Sequence, residues 1–119
     1  MGKCILVVED QEDNRQILRD LLGSAGYQLI EAENGEEALK ALARQRPDLI
    51  LMDISLPVMD GYEATRQIRA TQDATPIIGL SAHAMNGDAI KAKEAGCNDY
   101  LTKPVDEDLL MKKLKEYLG

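Results

Sequence analysis

Five side chains in this sequence suit the handling of charged oxygens: Glu9, Asp10, Asp53, Ser81 and Lys103. Each stands at the carboxyl end of a short, mostly apolar run. Lys3 to Val8 leads into Glu9-Asp10, Leu49 to Met52 into Asp53, Ile77 to Leu80 into Ser81, and Asp99 to Thr102 into Lys103-Pro104. In open α/β sheets, sites form outside the carboxyl ends of strands, near the point where strand order reverses. Gathered there, Glu9, Asp10 and Asp53 carry a formal charge of -3 and Lys103 returns +1. Two like charges about 4 Å apart repel by roughly 4 kcal/mol at an effective dielectric near 20. One lysine does not relieve that. A divalent cation takes the cluster from -2 to 0. Carboxylate ligands without His or Cys select a hard ion, Mg²⁺ or Mn²⁺.

Such a site keeps open positions for water or phosphate oxygens. A carboxylate, a hydroxyl and an ammonium around it make a phosphoryl-binding cage. Aspartate can act as a nucleophile and form an acyl phosphate. Lys103 and the metal would stabilise charge on the equatorial oxygens, and Ser81 would donate one hydrogen bond. Taken singly these residues say little. Glu9-Asp10 is then a helix-start acidic pair, Ser81 a turn residue, and Lys103 a solvated lysine before a proline. Their joint placement carries the reading.

That placement depends on strict alternation of strands and helices. The expected strands are 3–8, 27–32, 49–52, 77–80 and 99–102. Leu49 to Met52 is continuously apolar, as in a strand buried on both faces of a parallel sheet. Pro57 and Asp60-Gly61 mark a loop folding over its end. The first helix, Glu12 to Ser24, shows Ile17, Leu18, Leu21, Leu22 and Ala25 at helical spacing, with Asn14, Arg15, Arg19 and Asp20 on the other face. Gly23 and Gly26 signal its stop. Glu36 to Gln45 turns Ala38, Leu39 and Leu42 inward, and Tyr62 to Thr71 turns in Ala64 and Ile68. Asn86 to Ala95 has a weak apolar face of Ala89, Ile90 and Ala92. Asp106-Glu-Asp108 caps the last helix and suits its positive end, with Leu109, Leu110, Leu114, Tyr117 and Leu118 as its buried stripe. Five β-α units imply a parallel sheet with helices on both faces. The second strand brings no polar group to its end, which suits an edge away from the site.

The 119 residues fit a single domain spanning 1–119. Hydrophobic content of 45% supports a core, and with four Tyr and no Phe or Trp that core is aliphatic. Stacking platforms for single-stranded nucleic acid are thereby disfavoured. A net charge of -7 opposes binding to nucleic acid or an anionic membrane. No stretch approaches the ~18 apolar residues of a membrane span. Cys4 and Cys97 have no metal-type spacing, and Cys4 reads as a small buried thiol. Two thiols, with no signal-type leader, give the expectation of a cytoplasmic protein.

Four segments together resemble the receiver domain of two-component response regulators, in particular the chemotaxis response regulator. They are Ile5-Leu-Val-Val-Glu-Asp10, Leu51-Met-Asp-Ile-Ser-Leu-Pro-Val-Met-Asp-Gly61, Ile77-Ile-Gly-Leu-Ser-Ala82 and Asp99-Tyr-Leu-Thr-Lys-Pro104. The resemblance implies a doubly wound, flavodoxin-like α/β fold, with five parallel strands in the order 2-1-3-4-5 and five helices. It implies Asp53 as phosphoacceptor, Asp10 as direct Mg²⁺ ligand, Glu9 as its water-mediated neighbour and Ser55 as a carbonyl ligand. It also implies Lys103 as the phosphoryl contact, Ser81 as the switch hydroxyl, Tyr100 as the aromatic that follows it, and a cis Lys103-Pro104 bond. Serine at 81, where threonine is frequent, keeps the hydroxyl and loses a methyl. His83 reads as a rim residue. Together with Ser55 it is expected to flank the approach of water and help set the phosphoryl lifetime; an unchanged autodephosphorylation rate in His83→Ala would reject this for His83.

The expected partners are a histidine kinase or histidine phosphotransfer protein and a downstream protein target, with the chain a monomer or a phosphorylation-dependent dimer. Arg15, Ile17 and Leu18 on the first helix are candidates for the docking face. The fourth helix, fifth strand and last helix form the expected readout surface. The last helix runs to Gly119, so the signal is expected to pass by surface contact. The Leu80 to Met85 run also resembles receivers attached to hybrid histidine kinases. Two other readings compete. A Mg²⁺-dependent phosphatase working through an aspartyl phosphate often has a second aspartate two residues after the nucleophile, where this chain has Ser55, and needs a cap. A flavin-binding electron carrier needs a Ser/Thr/Gly-rich loop after the first strand, where this chain has the acidic run Glu9 to Asp13.

Overall fold

The computed structural model describes residues 2–56, 59–81 and 88–119, with the backbone alone for 88 and 89. Pro57, His83 and the Asn86 start of the fourth helix lie outside the described residues, as does the side chain of Ala89. The elements are β1 (Cys4–Val8), α1 (Glu12–Ser24), β2 (Gln28–Ala32), α2 (Gly35–Arg44), β3 (Leu49–Asp53), α3 (Gly61–Ala70), β4 (Ile77–Ser81), α4 (Asp88–Ala95), β5 (Asp99–Thr102) and α5 (Glu107–Leu118). All four strand pairings are parallel, and the order is β2-β1-β3-β4-β5. This is the expected flavodoxin-like arrangement, with β2 at an edge.

Every residue of β1, β3 and β4 is buried. Their side chains alternate between two cores, because successive strand residues point to opposite faces. Ile5, Val7, Leu49, Leu51, Ile78 and Leu80 pack with Leu18 and Leu22 of α1 and Leu110 and Leu114 of α5. Leu6, Val8, Ile50, Met52 and Ile77 pack with Ala38, Ala64, Ile68 and Ala92 on the other side. A sheet covered on both faces has no use for alternation in sequence, which is why its strands read as unbroken apolar runs.

Helix ends follow local chemistry. The side chains of Asn34, Asp60 and Asp106 accept from the amides of Glu37, Glu63 and Leu109, at 2.8, 2.8 and 3.1 Å. These bonds satisfy amides that a helix start leaves open. Gly61 lets α3 begin directly against the end of β3. A Cβ there would lie 2.3 Å from the Asp53 carbonyl oxygen and 2.7 Å from the Ile54 Cα.

Three helix-face assignments are corrected. Arg15 is buried, at 7% exposure, whereas Ile17 is 60% exposed. Arg15, Leu18 and Leu22 sit at i, i+3 and i+7 and so share one stripe, with Ile17 roughly 100° off it. Leu109 is exposed for the same reason, beside a stripe set by Leu110 and Leu114. Ile90 of α4 is also exposed, and among the described side chains of that helix the buried ones are Ala92 and Ala95.

Candidate functional site

Strand parity places the site. Val7, Leu51 and Leu101 belong to the core beneath α1 and α5. Two residues further along each strand come Glu9, Asp53 and Lys103, on the same face. The geometry agrees. Lys103 Nζ donates to Glu9 Oε1 at 2.7 Å and to Asp53 Oδ2 at 2.9 Å. Glu9 and Asp53 are almost fully buried, at 1% and 2% exposure, while Asp10 faces solvent. One carboxylate oxygen from each of Glu9, Asp10 and Asp53 lies within 4.8 Å of the others.

Each side chain is held by its own element. The Glu9 amide donates to Ala32 O at 3.0 Å, tying the end of β1 to β2. Glu9 Oε2 accepts from the Gln11 amide at 3.2 Å. Asp53 Oδ1 accepts from the Ser55 amide at 3.0 Å, and the Ile54 amide donates to Leu80 O at 2.8 Å. The Gly61 amide then donates to Ile54 O at 3.0 Å, fastening the loop that follows. Lys103 is presented from the end of β5 by its own amide, which donates to Ser81 O at 2.7 Å, and the Lys103-Pro104 bond is cis as expected.

The electrostatics show an excess of negative charge. Partial burial, a hydrogen bond with Glu9 and the Glu9 charge push the Asp10 carboxyl above the usual aspartate range, against the pull of Lys103. Burial alone would lower the Lys103 pKa, but its bonds to Glu9 and Asp53 outweigh that and hold it above the usual lysine range. One ammonium already satisfies two carboxylates, and the third carboxylate remains crowded. All-oxygen donors at this spacing, carrying net negative charge, fit a hard divalent cation.

Ser81 and Tyr100, the residues expected to form a switch, lie on the opposite parity. Ser81 is buried at 3% exposure and pairs in register with Thr102. Tyr100 pairs with Gly79, two positions back, so Tyr100 and Ser81 project from one face of the sheet. That face carries α4, and half-buried Tyr100 packs against its core.

A cleft of about 320 Å³ opens beside Lys103, bordered by Asn14, Ile17, Pro104 and Val105. Of the three docking candidates on α1, only Ile17 is exposed; Leu18 is core, and the Arg15 guanidinium donates to Glu9 O at 2.8 Å. Sequence reasoning missed this tie, although the i, i+3, i+7 relation of Arg15 to Leu18 and Leu22 held the signal. A larger cleft, about 500 Å³, runs along α2 and β2 past Glu37, Lys40 and Arg44, and none of the site residues line it.

Residues 5–115 match the family model of the response regulator receiver domain. The chain is 40% identical over its whole length to the polar-differentiation response regulator DivK of Brucella anthropi, of which 98% is covered. The receiver domain of sensor histidine kinase PA1611 from Pseudomonas aeruginosa superposes with a TM-score of 0.92 at 43% identity, covering 100% of this chain and 99% of that one. That structure holds a magnesium ion in its active-site cleft. A co-crystal of the Saccharomyces cerevisiae histidine phosphotransfer protein Ypd1 with the receiver domain of Ssk1 matches at TM-score 0.88 and 36% identity, covering 98% of this chain and 88% of that one. Matched by the family model over most of its length and by these relatives end to end, the chain belongs to the response-regulator receiver domains of two-component signalling.

Proposed function

We propose that residues 1–119 work as one phosphorylation-switched signalling unit, in which Asp53 accepts a phosphoryl group from a phosphohistidine of a histidine kinase or histidine phosphotransfer protein. The observation that carries this reading is the placement of Lys103 Nζ between Glu9 and buried Asp53, with Asp10 completing a carboxylate cluster. Glu9, Asp10, Asp53 and the Ser55 carbonyl would hold Mg²⁺, or Mn²⁺ in its place. Bound there, the cation supplies charge stabilisation to phosphoryl oxygens.

The chain's own residues do the rest. A carboxylate oxygen of Asp53 forms the bond to phosphorus as the phosphorus–nitrogen bond of the phosphohistidine breaks. The bonding pair leaves with the imidazole nitrogen, which takes a proton from solvent. The Ser55 amide and Lys103 orient Asp53 for this attack. Lys103 then pairs with a phosphoryl oxygen. Ser81 turns its hydroxyl to another, and Tyr100, on the same sheet face, follows into the space released. The change reaches α4, β5 and α5, where a downstream protein reads it. Among described side chains, α4 buries only Ala92 and Ala95, which suits an element that shifts at small expense in packing. The donor docks at the cleft beside Lys103, with Ile17 at its rim.

The chain catalyses only its own phosphorylation and dephosphorylation. No helix among the described residues is long and apolar enough to cross a membrane. We read the chain as a cytoplasmic module, a monomer or a phosphorylation-dependent dimer, whose net charge of -7 disfavours binding to anionic membranes and nucleic acid. Intact mass after incubation with acetyl phosphate and Mg²⁺ tests the core of the reading. One phosphoryl group per chain is expected, absent without Mg²⁺ and absent in Asp53→Asn. Labelling that survives in Asp53→Asn refutes the assignment, and sustained turnover of small phosphate esters favours an enzyme instead.

A further inference from the structure

Arg15 has no part in the chemistry above, yet among the described residues it is one of four buried charged side chains, with Glu9, Asp53 and Asp73. A guanidinium is expensive to bury unless its donors are matched. On its outer side Arg15 Nη2 donates to Glu12 and, at 3.3 Å, to Glu33, and Nε lies 3.5 Å from Glu31 Oε1. These carboxylates balance its charge, with Arg19 sharing Glu12 and Glu31. On its inner side Nη1 donates to a single atom, the main-chain oxygen of Glu9, at 2.8 Å. That oxygen belongs to the peptide joining Glu9 to Asp10.

The placement matters because the two residues are held unequally. The Glu9 carboxylate is anchored by Lys103 and by the Gln11 amide, and its own amide by Ala32 O. Asp10 is exposed, beyond the last residue of β1. The plane of the Glu9–Asp10 peptide sets where its carboxylate can point. Given the metal site read above, on which this rests, we infer that Arg15 is a positioning residue for that site: by gripping the Glu9 carbonyl it presets how the Glu9 and Asp10 carboxylates converge on the cation. Outer partners that orient metal ligands are worth about 10-fold to 100-fold in metal affinity.

Charge and geometry make opposite predictions here. If Arg15 acted through charge alone, deleting a cation beside an acidic cluster would strengthen Mg²⁺ binding. If it positions the peptide, deleting it weakens binding. Titration calorimetry of Mg²⁺ into wild type, Arg15→Met, Arg15→Lys and Glu33→Gln separates the two, with thermal melts in EDTA as the control for folding. Arg15→Met is expected to bind Mg²⁺ about tenfold more weakly. Arg15→Lys keeps the charge, but one nitrogen cannot serve both the Glu9 carbonyl and the outer carboxylates, so an intermediate loss is expected. Glu33→Gln, which leaves the carbonyl bond in place, is expected to bind as wild type. Equal or tighter binding in Arg15→Met overturns the inference; should that variant not fold, wild-type affinity in Arg15→Lys overturns it. A wild-type chain that takes up no Mg²⁺ overturns the metal site itself, a result distinct from either.

Discussion

Replacing Asp10 with asparagine should make the metal-free protein more stable and the Mg²⁺-loaded protein less so. The oxygens of Glu9, Asp10 and Asp53 lie within 4.8 Å of one another, and Lys103 is bonded to the first and last of these. At 4.8 Å and an effective dielectric near 20, one pair of like charges repels by about 3.5 kcal/mol. Asp10 meets two such partners, but it is exposed, so solvent screening reduces the relief on neutralising it to about 1 kcal/mol. For a chain of this length that is roughly 4 °C in Tm. The sign also follows from titration. The folded-state pKa of Asp10 is raised, so its ionised form opposes folding above that pKa, and the penalty fades as pH falls through it and is gone below the unfolded value. With Mg²⁺ at about 100 times its Kd, the wild type gains about 2.7 kcal/mol from binding, most of which Asp10→Asn forfeits. The two melting curves should therefore change order between EDTA and Mg²⁺, as followed by circular dichroism. Asp10→Asn less stable in EDTA, or showing the full wild-type response to Mg²⁺, would refute the reasoning.

Two other perturbations probe the scaffold. Gly61→Ala places a methyl against the Asp53 carbonyl, and since backbone must move to admit it, a loss of about 1–3 kcal/mol is expected in urea unfolding. Labelling by acetyl phosphate should fall with it even in folded protein, because the atoms displaced belong to Asp53 and Ile54; a destabilised variant labelling at the wild-type rate would count against a coupling of loop and site. At the base of α5, burial raises the Asp99 pKa, but Lys113, at 2.9 Å from both carboxylate oxygens, and the Tyr100 amide outweigh it and hold the carboxyl below the usual range. A depressed folded-state pKa adds stability above the unfolded value and loses it as pH falls through the folded one. Asp99→Asn should thus cost about 1 kcal/mol at neutral pH. That gap should close as pH falls below the ordinary carboxylate range, and a constant gap across chemical denaturation at several pH values excludes this pair as its source.

Much of the architecture was legible because the signals are local. Apolar runs of strand length, separated by helical periodicity, define β-α units, and the alternation leaves parallel pairing as the simplest closure. The cap at Asp106 follows the same short-range logic. The faces of the helices were less legible. Ile17, Ile90 and Leu109 carry apolar side chains and face outward, while Arg15 carries a charge and faces inward. Composition along a helix does not say which stripe meets the sheet when apolar residues cover more than one. Packing chooses the stripe, and the buried charge is tolerated because Glu9 O and three carboxylates surround it.

The sequence by itself determined which chemistry was available: carboxylates, a lysine and a serine at strand ends, with no histidine or cysteine among them to bind a softer metal. Tertiary structure decided the division of labour. Parity along the strands puts Glu9, Asp53 and Lys103 on one face of the sheet and Ser81 with Tyr100 on the other. Lys103 lies 94 residues from Glu9 and 50 from Asp53 in the chain, yet it bonds both. No local propensity encodes such distances. They exist because parallel strands deliver their carboxyl ends to one edge of the sheet, and the packing of two buried faces holds those ends in register.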